Sequence, residues 1–483
     1  MDNFQINLMI NENKLTALKT TSLNRVKIRG KQQVKDFKLP LLLTFLHIPL
    51  GILIYRINGL AVIHQLAVLS LGLYLASRKR EKLEKVAYVA AYLIGVEVLW
   101  RMGLSSIIWE FGKYAAGLIM IIALVQRGFT KIPKLPLLYI AFLLPACLLT
   151  VFTESLSSSK AKISFNMSGP FLIFVSCWFF SHLKVNMIQL KYLLLSIAIP
   201  MISVAITTLF FTVTAKDIKF TDESNFATSG GFGPNQVSSA LGLGVFVCVM
   251  CFLIFKNSTK DSIYLAILTL LFTMQTVMTF SRGGIYNAVG AILVAVFFQM
   301  KNLGEGVKKV LPVVLIGGLF LLLVFPYLND FTGGKLQERF EDTDPTHRSE
   351  IIEADYQVFL ENPVLGIGIG KAPAARAEFS DRARATHTEF SRIVSEHGIL
   401  GVFSLIALLF ISINTLRRQN SATGRALVGA AIVWSILYMI NASMRLAAPG
   451  FVWGMCFITI LNFQTRKFKK IIKPNRNNRK PIL

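Results

Sequence analysis

Arginines and a histidine in the second half of the chain have the types and placing to handle an anion. Ser281-Arg282-Gly283-Gly284 falls between two long apolar runs. A charged side chain at the edge of an apolar layer costs free energy unless it is paired, hydrated or bound to a ligand. Arg282 therefore reads either as an arginine reaching out to lipid phosphate or as an anion-binding group. The two glycines after it would leave the backbone open to close approach by a ligand. Arg348 falls in the first turn and a half of a polar helix, where its plainest reading is an exposed ion pair within Glu350–Asp355, worth little. His387-Thr388-Glu389-Phe390-Ser391-Arg392 marks the return of the chain to an apolar run. His387 is one of only six histidines. A lone histidine is usually structural, but an imidazole is also the side chain that exchanges a proton near neutral pH. Glu389 and Glu396, three residues before Arg392 and four after it, are placed to neutralise it. Glu97, a carboxylate near the outer end of an apolar run, needs a partner, and Arg101 stands at i+4.

Other patterns carry less chemistry. Gly366-Ile367-Gly368-Ile369-Gly370 lacks the strand and the final spaced glycine of a nucleotide-binding turn, and is expected as a flexible turn. The acidic run Glu338, Glu341, Asp342, Asp344 lacks calcium-loop spacing and is expected to be solvated. All five cysteines (Cys147, Cys177, Cys248, Cys251, Cys456) fall in apolar runs, so no disulfide framework is expected. Cys248 and Cys251, spaced C-x-x-C, read as small apolar residues on one helix face. H-E-x-x-H, G-x-S-x-G and P-loop motifs do not occur.

The elements that must position these residues follow from composition. The chain has 483 residues, 53% of them hydrophobic and only 16% charged, against about 25% charged in soluble domains. That charge is too scarce to solvate several soluble domains. A bilayer-crossing helix needs about 20 apolar residues. The chain holds fourteen candidate segments, the third and fourth of them short, with cores 39–56, 58–77, 86–100, 112–126, 136–153, 167–183, 192–213, 237–255, 262–280, 284–300, 310–326, 390–416, 426–444 and 448–464. The expected fold is an all-α polytopic membrane protein of about fourteen transmembrane helices. A basic cytoplasmic segment, 1–38, precedes helices 1–11 in 39–326. A long periplasmic loop, 327–389, leads to helices 12–14 in 390–464 and a basic cytoplasmic tail, 465–483. Residues 1–38 lack the apolar core of a cleavable signal peptide, so the first span is expected as an uncleaved insertion signal.

The formal charge of +25 fixes the direction. With both termini cytoplasmic, the inner segments hold thirty-four of the fifty-one Lys and Arg but seven of the twenty-six acids, a net +27, and the remainder carries −2. That is the positive-inside pattern. The tail Arg466–Lys480 reads as a membrane-surface anchor; nucleic acid is not an expected partner, since no basic, aromatic-interleaved domain accompanies it. In the loop, Asp344-Pro345 reads as a helix start and Asn362-Pro363 as its stop. Between them, Ile352, Tyr356 and Phe359 share one face of an amphipathic helix expected to rest on the bundle or at the interface.

In order and spacing, T-F-S-R-G-G, then H-R-S-E-I with E-N-P-V-L-G-I-G-I-G, then H-T-E-F-S-R-I-V-S-E-H-G-I-L-G resemble the O-antigen ligase/polymerase superfamily. G-F-G-P-N at 231–235 fits as well, so the resemblance covers about residues 225–415. The position after His387 is often Asn in that family and is Thr388 here; His397 occupies a more variable position. The resemblance implies an inner-membrane glycosyltransferase with the C-type fold and a periplasmic active site. It would take a glycan from undecaprenyl diphosphate and pass it to an acceptor hydroxyl, without cofactor or metal. Arg282 and Arg348 would hold the diphosphate, since an arginine fork binds phosphate oxygens in bidentate fashion. His387 would be the general base, with support from Arg392 and Asn235. Ligase action on a lipid A–core sugar is the leading expectation. Polymerisation of a lipid-linked repeat and protein O-glycosylation share the motifs, and a flippase is the alternative of another class. A flippase would be expected to show matching halves with broken helices and cations within its central cavity, and the sequence shows neither.

Overall fold

The computed structural model describes residues 39–57, 59–103, 107–129, 131–215, 217–221, 223–300, 303–342, 348–379 and 388–461. The expected segments 1–38 and 465–483, Asp344-Pro345 and His387 lie outside the described residues. The first half comprises α1 (Leu39–Arg56), α2 (Leu60–Ser77), α3 (Leu83–Met102), α4 (Phe111–Gln126), α5 (Lys134–Thr153), α6 (Leu156–Ser181), β1 (Lys184–Val185) and α7 (Met187–Thr214). Then follow α8 (Pro234–Ile254), α9 (Thr259–Met278), α10 (Gly283–Gln299), α11 (Leu303–Leu319), a π segment (Phe320–Val324) and α12 (Phe325–Phe331). The rest comprises α13 (Lys335–Glu341), α14 (Arg348–Glu361), α15 (Ala372–Ala375), α16 (Glu389–Arg417), α17 (Ala422–Ala442), α18 (Ala448–Met455) and β2 (Thr459–Ile460). Among the described residues, ten helices are long and apolar enough to cross a membrane. The protein is an all-α polytopic membrane protein.

Helix starts follow local chemistry. Asn186 and Gln189 form a capping box on α7, Ser258 and Asp261 one on α9, and Ser155, Thr388 and Ser421 accept backbone N–H groups at the starts of α6, α16 and α17. The π segment ends two residues before Pro326, which has no N–H to continue an α-helical ladder.

Burial separates centre from rim. The apolar window of α8 is wholly buried, whereas that of α11–α12 is 6% buried and faces outward. α8 and α10 touch backbone to backbone: a Cβ on Gly284 would lie 2.1 Å from the Ser238 carbonyl oxygen. Gly284 thus serves helix packing, not the approach of a ligand. A polar chain ties α1, α2 and α3. The Trp100 indole donates to His64 Nδ1 at 2.8 Å, the Tyr92 hydroxyl lies 3.0 Å from His64 Nε2 and 3.1 Å from His47 Nε2, and His47 Nδ1 is 2.7 Å from the Leu43 carbonyl. Because an indole can only donate, neutral rings fix the direction of every bond in this chain.

Contacts between helix ends show successive helices reversing direction. One end of the bundle, here the loop end, gathers the starts of α4, α6, α8, α10 and α16 with the elements of the 327–389 region. The far end gathers the starts of α3, α5, α7, α9 and α17. The expected segment 448–464 departs from its reading. It is the eight-residue helix α18, then a turn, then β2, which pairs in parallel with β1 through Lys184↔Thr459 and Val185↔Ile460. Gly454 is pressed onto α6, where a Cβ would lie 2.2 Å from that of Ser176. Beyond it, Phe457–Ile460 is aromatic and β-branched and favours extended backbone. Apolar length alone did not distinguish this from a helix.

Candidate functional site

The turn between α9 and α10 carries Arg282. Phe280, buried and stacked on Phe220 at 5.6 Å, adopts φ 58°, a left-handed conformation uncommon for a bulky residue. Ser281 Oγ donates to Asn235 Oδ1 at 2.7 Å, and Ser238 Oγ donates to the Ser281 carbonyl at 2.7 Å. Asn235 therefore supports the turn through Ser281. The Arg282 guanidinium donates to the Asp342 backbone carbonyl and lies 3.5 Å from its carboxylate. Arg339 joins them, 3.3 Å from the Asp342 carboxylate and donating Nε–H to the Phe280 carbonyl at 3.0 Å. Asp342, expected as part of a solvated acidic run, instead joins two arginines at the end of α13.

The start of α16 is fixed just as firmly. Thr388 caps the helix by accepting the Ser391 N–H at 3.3 Å. Arg392 lies between Glu389 and Glu396, as its i−3 and i+4 spacing anticipates, with Glu396 at 2.6 Å; Glu389 also accepts the Met444 N–H at 3.2 Å. From the loop, α14 packs on α16 through Asp355. This buried carboxylate takes Arg376 Nη1 at 2.9 Å, Ser391 Oγ at 2.6 Å and Ser395 Oγ at 3.3 Å. The buried face of α14 is Ile351, Ala354, Asp355 and Val358. The expected face lies one position round: Ile352 and Tyr356 are exposed. Asn362-Pro363 stops the helix as expected.

The glycine run at 366–370 is a turn that clasps α16 through backbone hydrogen bonds. α16 breaks at Gly398, with φ 60° and ψ −143°. The break leaves helix carbonyls without their usual donors, and the run supplies them. Ile367 N–H donates to the Ser395 carbonyl at 3.1 Å, Gly368 N–H to the Glu396 carbonyl at 3.0 Å, and Ile399 N–H in return to the Pro363 carbonyl at 2.8 Å. Gly366, Gly368 and Gly370 all have positive φ, and a Cβ on Gly398 would lie 2.6 Å from the Gly366 nitrogen.

Between these pieces, at the loop end, lies a cavity of about 350 Å³. Lys113, Lys162, Arg392 and Arg445 bring cations to its wall, and Glu389 and Glu396 bring carboxylates. Lys113, buried, is paired with Glu110 at 2.5 Å and lies 3.1 Å from Ser168 Oγ. Lys162 and Ser158 hydrogen-bond the half-buried Glu154 and hold its carboxyl below the usual carboxylate range. Ser443, also on the wall, has φ 51° and ψ −161°, a conformation that normally demands glycine. Behind it, Glu97 and Arg101 pair at 2.6 Å as their spacing anticipates, and Glu97 also accepts the Ala447 N–H at 2.8 Å, so this pair anchors the segment that carries Arg445.

Of the expected residues, the structure places Arg392 on this cavity. Asn235 and Arg282 lie at the neighbouring turn, where Gly283 meets Asn441 of α17. Arg348 opens α14; its side chain and His387 lie outside the described residues. The next residue but one after His387, Glu389, lines the cavity. Sequence reasoning missed Lys113, Lys162 and Arg445. Their one available signal was a cation at the edge of an apolar run on the same side as Arg282.

Apolar helices thus surround a charged, partly enclosed cavity at one end of a polytopic membrane protein. Residues 265–406 match the family O-Antigen ligase, and this segment belongs to the O-antigen ligase/polymerase superfamily. It runs from α9 to the first half of α16 and includes Arg282, Arg348, His387 and Arg392. A search of curated proteins finds no match to the chain.

Proposed function

We propose that the chain is a periplasm-facing glycosyltransferase of the inner membrane that moves a glycan from undecaprenyl diphosphate to a lipid A–core sugar. The observation that carries this reading is the cavity of about 350 Å³ at the loop end, whose cations adjoin the segment matched to O-Antigen ligase. A lipid diphosphate leaving group needs fixed positive charge that is present before the reaction begins. Arg282 and Arg348 act as forks for the diphosphate, and Arg445 and Lys113 set the field of the wall. Arg282 exchanges Asp342 for phosphate oxygens. His387 takes the acceptor hydroxyl proton as the oxygen attacks the anomeric carbon. The glycosyl–phosphate bond breaks, the diphosphate leaves with the electron pair, and the configuration inverts. The charge pattern along the chain supports the direction: both ends in the cytoplasm and the cavity facing the periplasm.

Lipopolysaccharide profiling of a deletion strain tests the assignment. Loss of capped core with accumulation of long lipid-linked chains is expected for a ligase. Single-repeat caps would instead make it a polymerase, and an unchanged ladder with altered glycoproteins would move it to protein glycosylation.

A further inference from the structure

At the far end of α6 and α16, opposite the cavity described above, lies a second cavity of about 670 Å³. On α16 the first cavity is lined by Glu389, Arg392 and Glu396 and the second by Ile411, Asn414, Thr415 and Arg418, so at 1.5 Å per residue the two sites are separated by about 30 Å. The walls are apolar, from Ile132, Leu135, Pro136, Ile411 and Phe457. Its mouth carries Lys131, Lys134, His182 and Arg418, and among the described residues no carboxylate lines it. Among the described residues, Lys131, Lys134 and Arg418 form no ion pair with an acid. His182 is held in place by stacking on Phe129 at 4.7 Å, with Nε2 2.9 Å from the Lys131 carbonyl. α5 and α16 meet one turn further in, where Ser404 Oγ donates to the Tyr139 carbonyl at 3.2 Å, and the cavity opens beyond that contact. Both helices turn large side chains outward nearby, Leu137 and Leu138 on one and Leu409 and Phe410 on the other.

We infer that this cavity binds the headgroup and upper acyl chains of an anionic phospholipid, separately from the site of glycan transfer. Three features argue for that occupant. The positive-inside rule explains scattered cations at the far end, but not their convergence on a recess without a single acid. The recess has too much apolar wall for free phosphate alone. Basic pockets between transmembrane helices at the cytoplasmic side are a recurrent solution for acidic headgroups. The inference does not rest on the glycosyltransferase reading.

The test is native mass spectrometry of the purified full chain after mixing with phosphatidylglycerol or phosphatidylcholine. Phosphatidylglycerol is expected to bind preferentially. At roughly fivefold per charge, Lys131→Gln/Lys134→Gln/Arg418→Gln should weaken it about a hundredfold. Arg78→Gln/Lys79→Gln/Arg80→Gln removes the same charge elsewhere at the far end and should leave binding unchanged. Equal binding of the two lipids, equal loss in both triple variants, or displacement of the lipid by inorganic phosphate would each overturn the inference. If the first triple variant does not fold, Asn414→Trp, which fills the recess and keeps the charges, decides. Loss of phosphatidylglycerol binding supports the site, and wild-type binding overturns it.

Discussion

Replacing Asp355 by asparagine should unfasten the loop from the bundle. Asp355 is 1% exposed and accepts from Arg376, itself 1% exposed, at 2.9 Å. It also accepts from Ser391 at 2.6 Å and Ser395 at 3.3 Å. The substitution removes the Asp355 charge that faces the buried Arg376 guanidinium. Breaking one side of such a pair costs about 3–5 kcal/mol. That cost falls on the junction of α14 and α16, so it should appear as local opening. Hydrogen exchange at Ile367, Gly368 and Ile399, whose amides form the clasp, should quicken by roughly two to three orders of magnitude at this cost. Exchange in α8, far from the junction, should not change. Asp355→Leu combined with Arg376→Met removes both charges and should recover most of the protection, because an apolar replacement of a whole buried pair is often neutral. Unchanged exchange in Asp355→Asn, or a double variant worse than the single one, would refute the claim that this pair fastens the loop.

Further outcomes follow from single contacts. Gly398→Ala should yield little folded protein by size-exclusion chromatography, at a cost of about 3 kcal/mol or more, because it adds a Cβ 2.6 Å from the Gly366 nitrogen at φ 60°. Tyr92→Phe removes the hydroxyl between His47 and His64 and should cost about 2 kcal/mol, read as a lower Tm with transfer activity retained. Arg282→Lys should lose most activity while the protein still inserts, since a point charge does not replace a fork on phosphate. Arg445→Gln should raise KM for the lipid-linked donor by about tenfold with little change in kcat, the size of one charge-assisted contact.

What could be read from sequence was local in sequence. The pairs Glu97–Arg101 and Arg392 with its two glutamates follow from helix spacing alone, and Asn362-Pro363 marks the end of α14 by backbone chemistry. The first thirteen apolar segments correspond to helical stretches, although α4 and α10 are shorter than a full span and ten helices meet the length and composition of one. The features that escaped depend on partners far along the chain. α14 turns Asp355 inward, against its apolar pattern, because Arg376 is there to meet it; this rotates the buried face by one position, about 100°. The glycine run appears flexible until the break at Gly398 is placed opposite it. The cavity draws Lys113 and Lys162 from the first half of the chain and Arg445 from near its end, and periodicity does not reveal such a convergence. In the last apolar segment, β2 gains its partner from β1, some 275 residues earlier.

The proposed transfer of glycan from a lipid diphosphate depends on Arg282 and His387. Purified wild-type protein, Arg282→Ala and His387→Ala are each incubated with undecaprenyl-diphosphate-linked glycan and lipid A–core acceptor. Glycan-capped acceptor is expected with the wild type and none with either variant, all three being inserted and folded. Full transfer by both variants, or no transfer by the wild type to any hydroxyl acceptor offered, would contradict it.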